Sequence, residues 1–254
     1  MPRGARVKSS SGVYHVMMRG IGRQDIFHDA EDRERFIETL VRFKRVSNYK
    51  VYGYCLMNNH IHLLIKEEKE AISQSIKRIG VSYVYWFNAK YERCGTLFQG
   101  RFKSENVEDE RYLLVVLRYI HQNPLKAGLV TKPAGWIWSS YNEYLSRYPL
   151  LVDTDFVLDL LHPHRKEAVE IFLKFMAEEN EDKCLEYEDV KERISDEEVR
   201  RAVQKLVKSD DILAIKKMSR DERNKAIRTL REENVSVRQL ARVTGLGRRI
   251  IEKA

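Results

Sequence analysis

The sequence predicts an α+β chain: an antiparallel sheet covered by helices on one face, followed by an all-α C-terminal region. Three observations lead there. Short apolar runs bounded by glycine or by Asn58-Asn59 alternate with longer segments whose apolar residues recur at helical spacing. Their order is strand, helix, strand, strand, helix, strand, which is the split βαβ, ferredoxin-like arrangement. After about residue 150 the strand signals stop and charge-rich helical segments take over.

Each element has its own reason. Residues 12–20 read as a strand between two glycines. Residues 29–48 read as a helix, with Phe36, Leu40, Val41 and Phe43 at helical spacing. Residues 50–57 and 60–66 read as a hairpin turned by Asn58-Asn59. Residues 71–91 form a helix with Ile72, Ile76, Ile79, Tyr83 and Phe87 on one stripe, and Gly95 closes that region. Residues 97–107 read as the fourth strand, and 109–121 as a helix stopped by Asn123-Pro124. Residues 136–141 read as a flap, with Trp138 and Tyr141 as packing anchors. The expected domains are 1–150, a helical linker region 151–217, and a C-terminal segment 218–254. Helices are expected near 153–161, 165–178 and 196–208, and the acidic runs 178–182 and 186–192 as exposed linkers. Ser219 caps a helix to residue 233, and two short helices follow around Gly245.

The formal net charge of +8 points to a polyanionic partner. Cys55, Cys94 and Cys184 are far apart and odd in number, so neither a zinc pattern nor a disulfide framework is expected; that suits a reducing cytoplasm. No apolar run approaches the roughly 20 residues that cross a bilayer. The first residues lack the apolar core of a signal peptide, so no membrane partner is expected.

The triplet His60-Ile61-His62 carries the most chemistry. Residues two apart on a strand share a face, so both imidazoles project from one side. Two neutral imidazoles at that spacing can hold one divalent cation. The same triplet also suits a strand with solvated histidines. In the run 118–124, Tyr119 and Asn123 are four apart and neighbours on a helix. If their face lies against the histidine strand, the Asn123 oxygen can complete a metal site with the Tyr119 hydroxyl beside it. Spacing alone does not choose between Tyr119 and Tyr112, two turns earlier. A core tyrosine and a helix-stopping Asn-Pro are the plainer readings of these positions.

These residues sit in segments that resemble the single-tyrosine HUH transposases, most closely the REP-associated tyrosine transposase branch. The matching segments are residues 57–64, 95–104, 112–114, 118–124 and 138–141, in the family's order. The resemblance implies a ferredoxin-like catalytic domain that cleaves and rejoins single-stranded or hairpin DNA. It implies Mg²⁺ or Mn²⁺ as cofactor, His60 and His62 as ligands and Asn123 as third ligand. Waters and a DNA phosphate oxygen would fill the remaining positions. It makes Tyr119 the nucleophile of a 5′-phosphotyrosine intermediate, with Tyr112 a core or DNA-contacting residue.

Gln99, Arg101 and Lys103 mix an amide and cations around Phe102 on the expected fourth strand, and can grip phosphates and stack a base. An edge strand with ordinary charges is the competing reading. Residues 219–254 resemble a helix-turn-helix of replication initiators and resolvases. Gly245 falls at the turn, Arg238 on the preceding helix, and Arg248, Arg249 and Lys253 on the recognition helix, for contact with duplex DNA. Many relatives of the catalytic domain end without such a module. The alternative function is a non-catalytic DNA-binding regulator derived from a transposase; a replication or conjugation nickase is a third reading. The sequence leaves open a homodimer, and whether two subunits share one site.

Overall fold

The computed structural model describes residues 7–186, 196–207, 209, 211–232 and 235–254. The chain divides into two compact units, residues 1–186 and 187–254. In the first, β1 (Val13–Arg19), α1 (Ala30–Ser47), β2 (Lys50–Leu56), β3 (His60–Lys66), α2 (Ile72–Lys90), β4 (Lys103–Asn106) and α3 (Glu110–Lys126) follow in that order. The sheet runs β2-β3-β1-β4, antiparallel throughout.

Local chemistry sets the ends of these elements. Asp29 caps α1 by accepting from the Asp32 N–H, and the Asp32 side chain reaches back to the cap, which forms a capping box. Asn48 ends α1 in the left-handed region at φ 55°, a conformation asparagine tolerates. Asp109 caps α3 by accepting from the Tyr112 N–H.

The split unit's own helices share one sheet face. A Cβ added at Gly80 of α2 would lie 3.3 Å from Met18 Cε of β1. Phe27, Phe36 of α1 and Tyr83 of α2 meet edge-on or tilted in this layer. α3 lies across the opposite face. There a Cβ at Gly53 of β2 would sit 2.5 Å from Leu117 Cδ1, so the bare backbone is what lets the helix approach. Residues 136–141 line the outer edge of β2: the Leu56 N–H donates to the Trp138 carbonyl at 2.9 Å and Trp136 Nε1 to the Leu56 carbonyl at 3.3 Å. Tyr141 is buried, and half-buried Trp138 packs with Trp136 against Arg33.

Two expectations about this region are corrected. The fourth strand is short, because Gly100 turns the chain at φ 66°: residues 103–106 form the ladder with β1, and Phe98 makes only an isolated bridge to Gly20. The helix carrying Tyr119 does not stop at Asn123-Pro124. It continues to Lys126, because a proline so near the end forfeits only one internal N–H bond. Tyr119 and Asn123 therefore keep true helical register.

α4 (Thr154–Leu161) and α5 (Arg165–Ala177) belong with the first unit. Asp153 exchanges backbone and side-chain bonds with Val51, Phe156 stacks on Tyr52, and Phe172 stacks on Tyr144 at 4.5 Å. The expected 151–217 linker region is thus shared between the two units. Residues 178–186 are also bound to the first unit, as described below, whereas 187–192 of the second acidic run lie outside the described residues.

The second unit contains α6 (Asp196–Val207), α7 (Arg220–Glu232), α8 (Val237–Thr244) and α9 (Arg248–Glu252) around Val199, Val203, Ile227, Leu230, Leu240 and Ile251. Ser219 and Glu222 form a reciprocal cap at α7, and Ser236 caps α8. Gly245 ends α8 at φ 64°. No helix among the described residues is long and apolar enough to cross a membrane.

His121 of α3 is fully buried, and its Nε2 pairs with Ser140 Oγ at 2.7 Å. Burial lowers its pKa from 6.5 to about 3. The unfolded chain then takes up a proton near pH 6.5 that the folded chain refuses until about pH 3. This contribution to stability is complete above pH 6.5 and is lost as the pH falls toward 3. Urea unfolding between pH 7 and 4.5 is expected to show the fall, by at most about 1.4 kcal/mol per pH unit from this group. His121→Gln is expected to flatten it; an equally steep profile in the variant would contradict the assignment.

Candidate active site

The face of the sheet under α3 carries a row of polar side chains inside an otherwise apolar layer. β3 contributes His60 and His62. In β1, Arg19 stands opposite His60 and Met17 opposite His62, with His15 one step further along the same face. Glu105 of β4 stands opposite His15.

Within this row His62 is fully buried. Its Nδ1 lies 2.9 Å from His15 Nε2, and the two rings stack with centroids 5.2 Å apart. His15 Nδ1 faces Glu105 Oε2 at 3.6 Å. His62 Nε2 is buried and has no hydrogen-bond partner. His60 Nδ1 lies 2.7 Å from Asn59 Oδ1, which occupies that nitrogen with the turn beside it.

From above, α3 brings Tyr119 and Asn123. The Tyr119 ring lies 5.7 Å from His62 and 5.9 Å from His15, centre to centre and edge-on. Asn123, one turn later, lies close enough to both the His60 ring and the Tyr119 hydroxyl to act on the protonation of each. Tyr119 donates to Glu186 Oε1 at 2.5 Å, and Lys126 Nζ stands 5.4 Å from the centre of its ring. Tyr112, the rival candidate, has its hydroxyl engaged by Glu105 and Cys184 instead.

Burial dominates the protonation states. It pushes His60 down to about 4; the Asn123 bond opposes this and the Arg19 charge adds to it. His62 is driven well below its ordinary value by burial and then by its two histidine neighbours. His15 is lowered by burial against the pull of Glu105. All three rings are neutral at pH 7, the form that ligates metals. The Tyr119 phenol is raised above its ordinary value by burial, then by the bond to the Glu186 carboxylate, while the Asn123 bond lowers it.

This donor set fits a divalent cation. The unpartnered, buried His62 Nε2 is a cost that coordination would remove. His60 and the Asn123 amide are the neighbouring donors. Among the described residues no three His, Cys, Asp or Glu side chains cluster as a metal site.

The segment 178–186 closes one side of the site. Buried Arg118 binds Asp182 through Nε at 2.8 Å and Glu178 through Nη1 at 2.7 Å. Gln122 donates to the Met176 and Glu178 carbonyls. The Leu185 N–H donates to Glu105 Oε2 at 3.0 Å, and Glu186 follows at Tyr119. An acidic run that reads as an exposed linker is thus held down by α3, because the cation that neutralises it lies on the helix and not in the run.

The expected DNA contacts separate. Gln99 and Arg101 are exposed in the loop before β4, not on a strand. Lys103 opens β4 opposite Met17, and its Nζ is 3.5 Å from the Glu186 carbonyl. In the second unit Arg238, Arg248, Arg249 and Lys253 are all exposed. His15, Glu105 and Glu186 escape a reading of the sequence. Alternation along β1 puts His15, Met17 and Arg19 on one face, and a histidine inside that apolar strand was the available signal.

Residues 8–123 match the family model described as "Transposase IS200 like". Among solved structures, a REP-associated tyrosine transposase bound to a REP hairpin is similar at 17% identity and a TM-score of 0.50, over 60% of this chain and 90% of that one. A transposase candidate from Deinococcus radiodurans R1 is 16% identical over 48% of this chain and 95% of that one, with a TM-score of 0.34. No curated protein matches the chain significantly.

Removing Arg118 leaves Asp182 and Glu178 without their cation. In Arg118→Ala, limited digestion with a Glu-specific protease is expected to cut within 178–186 several-fold sooner than in the parent, read by mass spectrometry. Equal cutting times would show that other contacts hold the segment.

Proposed function

We propose that the chain, whose residues 8–123 match the IS200-like transposase model, cleaves and rejoins single-stranded or hairpin DNA through a tyrosine–phosphate intermediate. The observation that carries this reading is the position of the Tyr119 ring, 5.7 Å from that of His62, with Asn123 one turn on and beside both the His60 ring and the phenol. A nucleophile and a cation site are thereby within reach of one phosphate. The hairpin-bound neighbour supports the substrate class.

His60, His62 and Asn123 would hold Mg²⁺ or Mn²⁺; two imidazoles and an amide suit Mn²⁺ better. When bound, the cation supplies charge withdrawal and orientation at the scissile phosphate. The protein's own part is the attack. Tyr119 Oη forms a bond to phosphorus and the P–O3′ bond breaks, leaving a 5′ phosphate on the tyrosine and a free 3′ oxygen. The phenol proton passes to Glu186, which already accepts it in a hydrogen bond. A 3′ hydroxyl attacking the phosphotyrosine reverses the step or joins a new strand. Lys103 and Lys126 contribute positive charge beside the site. Gln99 and Arg101 extend toward the DNA from an exposed loop. The C-terminal unit adds Arg238, Arg248, Arg249 and Lys253 as an exposed basic surface for duplex DNA, read as a helix-turn-helix.

Incubation of the full chain with Mn²⁺ and labelled hairpin DNA is expected to give a covalent adduct on a denaturing gel. Tyr119→Phe is expected to abolish it and Tyr112→Phe to retain it. Loss in Tyr112→Phe alone would transfer the nucleophile; no adduct on any hairpin or single strand would favour the non-catalytic regulator.

Glu186→Gln keeps the hydrogen-bonding shape but cannot take the proton. It is expected to slow adduct formation by about 100-fold or more, in line with the loss of a general base. Faster adduct formation would mean instead that the carboxylate obstructs the site.

A further inference from the structure

The row of side chains under α3 continues past the expected ligands, across three adjacent strands. We infer that His15, backed by Glu105, is a positioning residue that holds His62 in the one tautomer able to bind a cation. The inference rests on the metal reading above.

His62 is fully buried against a second imidazole, and as a neutral ring it carries a single N–H. If that proton sits on Nε2, the nitrogen facing the site is a donor and has no lone pair to give. If it sits on Nδ1, Nε2 is a ligand. His62 Nδ1 meets His15 Nε2 at 2.9 Å, and only one of those two atoms can carry the proton of that bond. His15 also carries a single N–H. Its Nδ1 faces Glu105 Oε2 at 3.6 Å, and a carboxylate faced by that nitrogen favours the proton there. With the His15 proton on Nδ1, its Nε2 is an acceptor and draws the His62 proton to Nδ1. Every choice then follows in one direction: the Glu105 charge draws the His15 proton to Nδ1, His15 Nε2 accepts from His62, and His62 Nε2 is left with its lone pair.

Three further observations agree. His62 Nε2 is buried and lacks a hydrogen-bond partner, as a ligand without its cation should; His15 Nδ1, the other such nitrogen of the pair, has the Glu105 carboxylate in front of it at 3.6 Å. Glu105 is itself held, by the Leu185 N–H at 3.0 Å. The register fixes the row, since Glu105 stands opposite His15 and His15 lies one step along the face from Met17, the partner of His62. A histidine present only for packing would need neither the carboxylate behind it nor the partnerless nitrogen ahead.

The test uses the full chain and Mn²⁺ alone. In ¹⁵N-histidine-labelled protein without metal, long-range ¹H–¹⁵N correlation is expected to show His62 as the Nδ1–H tautomer; Nε2–H would overturn the inference. Mn²⁺ titration followed by electron paramagnetic resonance is expected to show about 10–100-fold weaker binding in His15→Leu, the usual cost of losing a partner behind a metal ligand. His15→Gln, whose amide oxygen can accept from His62, is expected to recover most of that loss. Equal Mn²⁺ affinity in the parent and a folded His15→Leu would overturn the inference while leaving the metal reading intact. A parent that takes up no Mn²⁺ would overturn the metal reading itself, and the inference with it.

Discussion

Everything at the site depends on how closely α3 can lie on the sheet. Leu117 seats where Gly53 has no side chain, and a methyl group there would meet Leu117 Cδ1 at 2.5 Å. Two residues after Leu117 comes Tyr119, and four after that comes Asn123. A helix held further off would leave both short of the histidine strand. Packing density and chemistry are thus one constraint: the contact that buries Leu117 also sets the reach of the phenol and the amide.

The site is polar but buried, which makes its hydrogen bonds costly to leave unmade. Most of its groups are accounted for. Glu105 accepts from the Leu185 N–H and faces His15 Nδ1 at 3.6 Å on the β4 side, and His60 Nδ1 pairs with Asn59 on the other. His62 Nε2 between them is left without a partner. Such a network rigidifies the face against which a substrate phosphate would rest. It also explains why α3 tolerates Tyr119, Asn123 and His121 in a largely buried stretch: each has a named partner across the interface.

Segment 178–186 ties chain order to site chemistry in a less obvious way. Arg118 lies on the same helix as Tyr119, one residue earlier, and points to the acidic run while Tyr119 points to the sheet. The helix therefore holds two charge systems apart on adjacent faces. Glu186, at the end of the run, is the one carboxylate of that segment bonded to the phenol.

Much of this was legible along the chain. Apolar periodicity placed the strands and helices to within a few residues, and the His-x-His triplet and the Tyr119–Asn123 spacing are local facts that a strand and a helix express directly. Three things were decided only by the tertiary structure. Helical register through Pro124 depends on where α3 ends. The fate of residues 178–186 depends on a cation sixty residues away. The partnership of Glu105, His15 and His62 depends on a strand order of β2-β3-β1-β4, which sets side by side residues ninety and forty-seven positions apart. Periodicity reports which face a side chain takes; it carries no information about which strand lies beside it, because pairing is chosen by the burial of whole layers and not by any one residue.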